Sequence, residues 1–522
     1  MDTPRPTHLV RPGRRARFLA SALAAGLTIA IALPVAASSV VVWSGFQGDP
    51  SHSGFAADGP APPYVEAWTS PAELGGASAQ FGLSQPVVVD DTVVTVGTEA
   101  IVGVDLATGD QVWTVARDAG PAVAPAALTV GDTVAIAYTE GFGPHPPGSR
   151  ASASASASTT ASASPSAGAS PVGDGVPDGV PADSRLAAID IATQERLWKP
   201  VALDAVSYTG ATAADGVAYA ATEAGSVYAV DLRTGETAWT ADAGEAVDTP
   251  LIVTDGLVIA VTRATSDEPS SVVALAVSDG SETWRWKSDT PVYRLSAASA
   301  DDAHVYVGLS DQNGTLRALD LGNGSLAWTA RMNAAVNLVS APAATGDAVY
   351  ALDFRGQLYR FDPATGARDW DFALNELVLR SGPVVVGDHV VFGTTGGHLA
   401  AIEAGSGDLV WQAEPASGQL RSIAVTPDRL VAVRGGEDAG LIAFDTDPAG
   451  ALVRVPSPTV LDPGGFFGAF AIGALVFCAI AILGGRWLIG RAGPALATET
   501  EGSGDDGPAD PFEDDESDGD DA

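Results

Sequence analysis

Through its middle the chain alternates short apolar runs with small polar clusters, and a long uncharged stretch stands on either side of that region. Short apolar runs bounded by Asp and Gly read as β-strands joined by tight turns, because these residues tolerate the backbone angles that such turns need. Asp91, Asp132, Asp215, Asp255, Asp347, Asp388 and Asp428 each stand two positions before Val or Leu, and Asp301-Asp302-Ala303-His304-Val305 is the same signal displaced by one. That makes eight hairpin turns.

A longer pattern sits half a repeat away. VDLATGDQVW ends at Trp113, IDIATQERLW at Trp198 and VDLRTGETAW at Trp239. LAVSDGSETW, LDLGNGSLAW, FDPATGARDW and IEAGSGDLVW follow at Trp284, Trp328, Trp370 and Trp411. From Trp198 onward the spacings are 41, 45, 44, 42 and 41 residues, which fits four short strands per repeat. The gap from Trp113 to Trp198 is double, and it holds a Ser/Ala/Pro-rich insert over 141–183 whose composition cannot bury a core. A last copy, FDTDPAGALV from Phe444, has no Trp, whereas Trp68 precedes the first full repeat. The strand around Trp68 is therefore expected to complete the last repeat, closing the ring and removing its free edges. The eight tryptophans are read as structural, packed between neighbouring repeats.

The expected fold is all-β, an eight-bladed β-propeller over 44–460, closed by an N-terminal strand and flanked by one transmembrane helix at each end. Residues 18–43 are uncharged and long enough to cross a bilayer, and the five arginines within residues 1–17 put the N-terminus in the cytoplasm. The run continues through Val40, Val41 and Val42, which favours an anchor; Pro34-Val35-Ala36-Ala37-Ser38 also offers a signal-peptide cleavage point after Ala37. Residues 464–485 form a second uncharged span, followed by Arg486 and Arg491, so the tail at 486–522 is expected inside. The ring then lies outside the cytoplasm.

Charge narrows the function. The formal net charge is −37, and residues 499–522 hold twelve acids and no base, as expected of a disordered tail. Such a balance repels phosphate backbones and speaks against nucleic-acid binding. The single Cys478 excludes a disulfide within the chain. His8, His52, His145, His304, His389 and His398 show no metal-ligand spacing, and no catalytic motif is present, so no catalytic residue, metal or cofactor is assigned. The remaining candidates precede the innermost strand of each repeat and face the channel mouth: Ser84, Tyr208, Asp248, Arg294, Asn337, Arg380 and Arg421. Asp248, Arg294, Asn337, Arg380 and Arg421 are the candidate ligand- or partner-binding set, the arginines suiting carboxylate or phosphate groups.

The Asp-x-x-Thr-Gly-x-x-x-Trp signature, with WSGFQGDPSHSG from Trp43, resembles the PQQ-repeat propellers over about residues 43–455. One branch of that family comprises quinoprotein dehydrogenases, which hold PQQ and calcium over the channel; their adjacent-cysteine disulfide and calcium-binding segments have no counterpart here. The other branch is non-catalytic and includes the propeller lipoprotein of the outer-membrane-protein assembly machinery. This chain is similar to that second branch in repeat length, but it lacks a lipobox cysteine. The resemblance implies a membrane-anchored binding scaffold whose partners are the lipid bilayer and an envelope protein or polymer. A quinone-binding oxidoreductase or sensor is the alternative.

Overall fold

The computed structural model describes residues 40–71, 74–76, 83–118, 122–141, 184–289, 295–310, 314–332, 340–379, 381–413, 418–436 and 438–452. Eight sheets follow one another along the chain, six of four strands and two of five, all antiparallel except for the short strand Phe55–Ala56, which adds parallel to blade 7, and they form the blades of a propeller. Blade 4 shows the plan: Ile252–Thr254 innermost, then Leu257–Thr262, Ser271–Ala276 and, outermost, Glu282–Lys287. Middle strands such as Leu257–Thr262 are buried throughout, since both sheet faces meet a neighbouring blade. Outermost strands such as Thr237–Asp242 alternate, as expected with one face toward solvent.

The first turns of blades 3 and 4 take the geometry that an Asp-Gly pair favours. Asp215-Gly216 and Asp255-Gly256 both have positive φ at both positions, the geometry that twists with the flanking strands. The second turn uses the Asp-x-x-Thr-Gly signature. Asp231 Oδ1 accepts the amides of Arg233 (3.0 Å) and Thr234 (2.8 Å), and Gly235 takes φ +73°.

That glycine also receives a tryptophan. The indole of Trp284 lies over Gly324 of the next blade, and its N–H donates to Leu321 O at 2.8 Å. Trp68, Trp198, Trp239, Trp328 and Trp370 make the same clasp onto Gly109, Gly235, Gly280, Gly366 and Gly407. Trp113 does not. Blade 2 has Gln194 where the glycine belongs, and its side chain donates to Ile191 O at 2.7 Å, the carbonyl matching the one an indole takes elsewhere. Trp113 lies instead over Gly103 of its own blade. Trp411 meets Tyr64 edge-on at 5.1 Å, because blade 8 has no Thr-Gly turn to receive it.

Tyr64–Thr69 pairs antiparallel with Gly440–Thr446 as the outermost strand of blade 8, so one sheet contains both ends of the ring. One boundary needs correction. Val41–Trp43, expected to end the membrane run 18–43, is a strand paired with Val87–Val89 of blade 1, and Trp43 is buried. A tryptophan and valines with a sheet edge within reach satisfy their backbone there, so the ring begins by residue 41 and any anchor ends before it. Residues 18–39 and 464–485, the tail 486–522 and all but Gly141 of the insert lie outside the described residues. No helix among the described residues is long and apolar enough to cross a membrane.

Candidate functional site

Each inner strand runs from the mouth face, where blades are joined, to the turn face, which carries the Asp-Gly and Thr-Gly turns. Residues 40–56 form a belt inside this channel. Its carbonyls accept an amide from the first turn of blade 1 and from the inner strands of blades 2, 4, 5, 6 and 7: Val40 from Asp90, Ser44 from Ala127, Pro50 from Val253, Ser51 from Ala300, Ser53 from Ala344 and Gly54 from Val385, at 2.7–3.0 Å. Small residues and glycines let the belt approach closely; a Cβ on Gly54 would stand 2.4 Å from Gln47 Oε1. Gln47 Nε2 donates to Ala341 O at 2.9 Å, and Asp49 accepts from the amide and hydroxyl of Ser51. His52 Nδ1 sits 3.1 Å from Ala298 O, and burial drives its pKa down to about 4, so the ring is neutral. The belt begins at the turn of blade 1 and leaves past Gly387 of blade 7, filling the turn-face end of the channel.

At the mouth, the described candidates are held by the fold. Ser84 Oγ donates to Gln85 O and accepts the amide of Val96. Asp248 faces Arg263 at 3.5 Å, and its side chain is 8% exposed. Tyr208 is pushed up by burial, with Glu223 adding to the shift and Arg263 opposing it. Arg421 is buried, lies flat against Gly435 and donates to Gln419 Oε1 at 3.3 Å. Arg294, Asn337 and Arg380 lie outside the described residues, so the convergence of three arginines is an expectation only.

The mouth face carries a feature that the sequence reading missed. In the connection from blade 6 to blade 7, Leu377 and Leu379 are 54% and 47% exposed, while Val378 between them is fully buried. Backbone bonds fix this out-in-out segment: Val378 N donates to Phe354 O at 2.9 Å, and Thr395 N to Leu377 O at 2.8 Å. Beside it, Glu376 holds His398 Nδ1 at 2.7 Å and accepts from Gln412 Nε2 at 3.0 Å. Arg355 lies over Phe354 at 5.6 Å. The signal was present in ELVLR, an alternation outside any regular strand, but nothing in the sequence says which residues of a loop face water.

A profile of the family described as outer membrane protein assembly factor BamB matches residues 182–362 and 355–452, together more than half of the chain. The chain belongs to the BamB family. Among its relatives, the assembly factor BamB of Yersinia pestis is 25% identical over 248 residues, 43% of this chain and 60% of that protein. The Bordetella pertussis BamB is 25% identical over 297 residues, 53% and 74% of the two chains. This chain thus spans about three fifths of the Yersinia protein it matches. Two solved structures share the fold alone. A computationally designed protein superposes with TM-score 0.53 at 14% identity, covering 73% of this chain and 99% of its own. The quinohemoprotein alcohol dehydrogenase ADHIIG of Pseudomonas putida gives 0.52 at 12%, covering 80% and 82%.

The described residues offer no site for the quinone-bound calcium of the dehydrogenase branch. Among the described residues, no three His, Cys, Asp or Glu side chains converge as cation ligands, and Asp248 at the mouth faces Arg263. No step through such a group is derived for this BamB-family ring.

Proposed function

We propose that this BamB-family propeller is a non-catalytic scaffold of the cell envelope, anchored in the membrane, that holds a protein partner against its mouth face. The observation that carries the reading is the fixed, solvent-facing Leu377–Leu379 pair beside Arg355. Exposed apolar side chains on a backbone that is already ordered suit a protein interface, since little conformational entropy remains to be lost on docking. The belt supports the same face, because it fills the channel from the opposite side. The names of the relatives supply the envelope setting, as assembly factors of outer-membrane proteins.

The test compares the full-length protein with a Leu377→Ser, Leu379→Ser double variant in affinity capture from detergent-solubilised membranes. One protein retained by the wild type and lost with the variant, at equal thermal stability, supports the reading. Equal retention by both would remove the mouth-face pair from it. Saturable, calcium-dependent PQQ binding by the purified protein would instead favour the oxidoreductase or sensor.

A further inference from the structure

We infer that the ring stands with its turn face toward the membrane and its mouth face outward. The inference rests on the anchoring proposed above and adds an orientation that follows from the two chain ends. Val40 is tied to the first turn of blade 1: its amide donates to Asp90 Oδ1 at 2.7 Å, and its carbonyl accepts from Asp90 N at 2.9 Å. At the other end, the strand Gly440–Thr446 runs down to the turn of blade 8, where Asp445 pairs with Arg429 next to the turn residue Asp428. Asp447 N then donates to Pro63 O at 2.7 Å on that same side. Both ends of the ring therefore leave from one face.

The tethers are short. Residue 40 lies within the first uncharged stretch, 18–43, so the ring begins where any anchor ends, and eleven residues, 453–463, separate Leu452 from the second. Eleven residues reach at most roughly 40 Å when fully extended, too little slack for a ring bound at both ends to turn over. If the first segment is cleaved, the second tether leaves from the same face and favours the same orientation.

Electrostatics keep this face from adhering to lipid. Its second turns carry Asp105, Asp190, Asp231, Asp320 and Asp362, all half-buried, which anionic headgroups repel. The ring is held by its tethers. The opposite face presents the Leu377–Leu379 pair and the strand ends Glu140 and Arg185, between which the 142–183 segment is inserted. The base of the insert thus lies on the face proposed to hold the partner.

Two exposed serines of blade 4 test this. Ser278 lies in the second turn, and Ser266 in the loop on the mouth side, about six residues of strand away, or roughly 20 Å. In a full-length Cys478→Ala background, Ser278→Cys or Ser266→Cys carries a donor dye, and the protein is reconstituted into phosphatidylcholine vesicles with a headgroup acceptor. We expect a larger loss of donor lifetime at residue 278 than at residue 266. Equal or reversed losses from protein that floats with the vesicles would overturn the orientation and leave the anchoring intact. Failure of the protein to float would withdraw both.

Discussion

At the scale of single residues, the ring is closed by a repeated contact between a tryptophan and the glycine of the next blade. Trp284 is 7% exposed and also donates to Leu321 O, so Trp284→Ala removes a buried ring and a hydrogen bond together. Loss of about 3–5 kcal/mol is expected, read as a fall in the urea midpoint. Gly324→Ala attacks the same contact from the other side, since its Cβ would meet Trp284 at 2.4 Å and its φ is +70°. The eight tryptophans and their period were legible in the sequence because a repeat exposes itself by recurrence. Their differing partners were not: the Gly-to-Gln change at residue 194 is visible, but its side chain's hold on Ile191 O requires coordinates. His52 offers a second test. Its folded pKa of about 4 lies below the ordinary 6.5, so the unfolded chain binds the extra proton between those values. Stability is therefore lost as pH falls from about 6.5 and levels off below about 4, with a total near 3 kcal/mol for this group. The hydrogen bond to Ala298 O and, after it, the charge of Asp49 favour protonation and limit the shift. His52→Asn keeps a donor toward Ala298 O and suits the positive φ of 59°. Urea midpoints across that pH window should fall less steeply for the variant than for the wild type.

At the scale of elements, the closing strand was read correctly from an absence, since the eighth repeat lacks a Trp and the chain start has a spare one. The belt was not read at all. WSGFQGDPSHSG has no periodicity, because its partners are the inner strands of different blades, hundreds of residues apart. Here the same stretch of chain serves twice, first inside the channel and then as the outer strand of blade 8. Removing residues 1–57 should lower the melting temperature of the ring while leaving a monomer. Removing residues 1–71 also strips blade 8 to three strands, and its exposed edge should show as oligomers in size-exclusion chromatography. The base of the insert is built differently. Glu140, its side chain 1% exposed, takes both ends of Arg196 at 2.8 and 3.0 Å, and buried Arg117 donates to Thr139 O at 2.9 Å. Replacing 142–183 by a short turn should leave the melting temperature nearly unchanged, whereas Arg196→Ala removes the two-point partner of a buried carboxylate that keeps the Asp118 amide and nearby Arg117, and should cost about 1.5–3 kcal/mol.

At the scale of the whole molecule, the two faces differ in what they carry, and the proposed function divides between them accordingly. The turn face gathers the chain ends, the belt and the ring of aspartates, several of which are held below the usual carboxylate range. For Asp105 the Thr108 amide is the main cause, and for Asp362 the Thr365 hydroxyl. The mouth face carries what remains for recognition. The sequence located that face by aligning repeats, but it favoured charged positions. The described ones, Asp248 and Arg421, are engaged within the fold, while two leucines are presented to solvent. Burial decides this difference, and one-dimensional pattern does not encode burial in a loop. The most direct measurement is photo-crosslinking in living cells, with a benzoyl-phenylalanine replacing Leu377 on the mouth face or Leu326 near the turn face, both exposed. The account predicts a discrete crosslinked protein from residue 377 and none from residue 326. Crosslinks from residue 326 alone, or from neither, would contradict a scaffold that works through its mouth face.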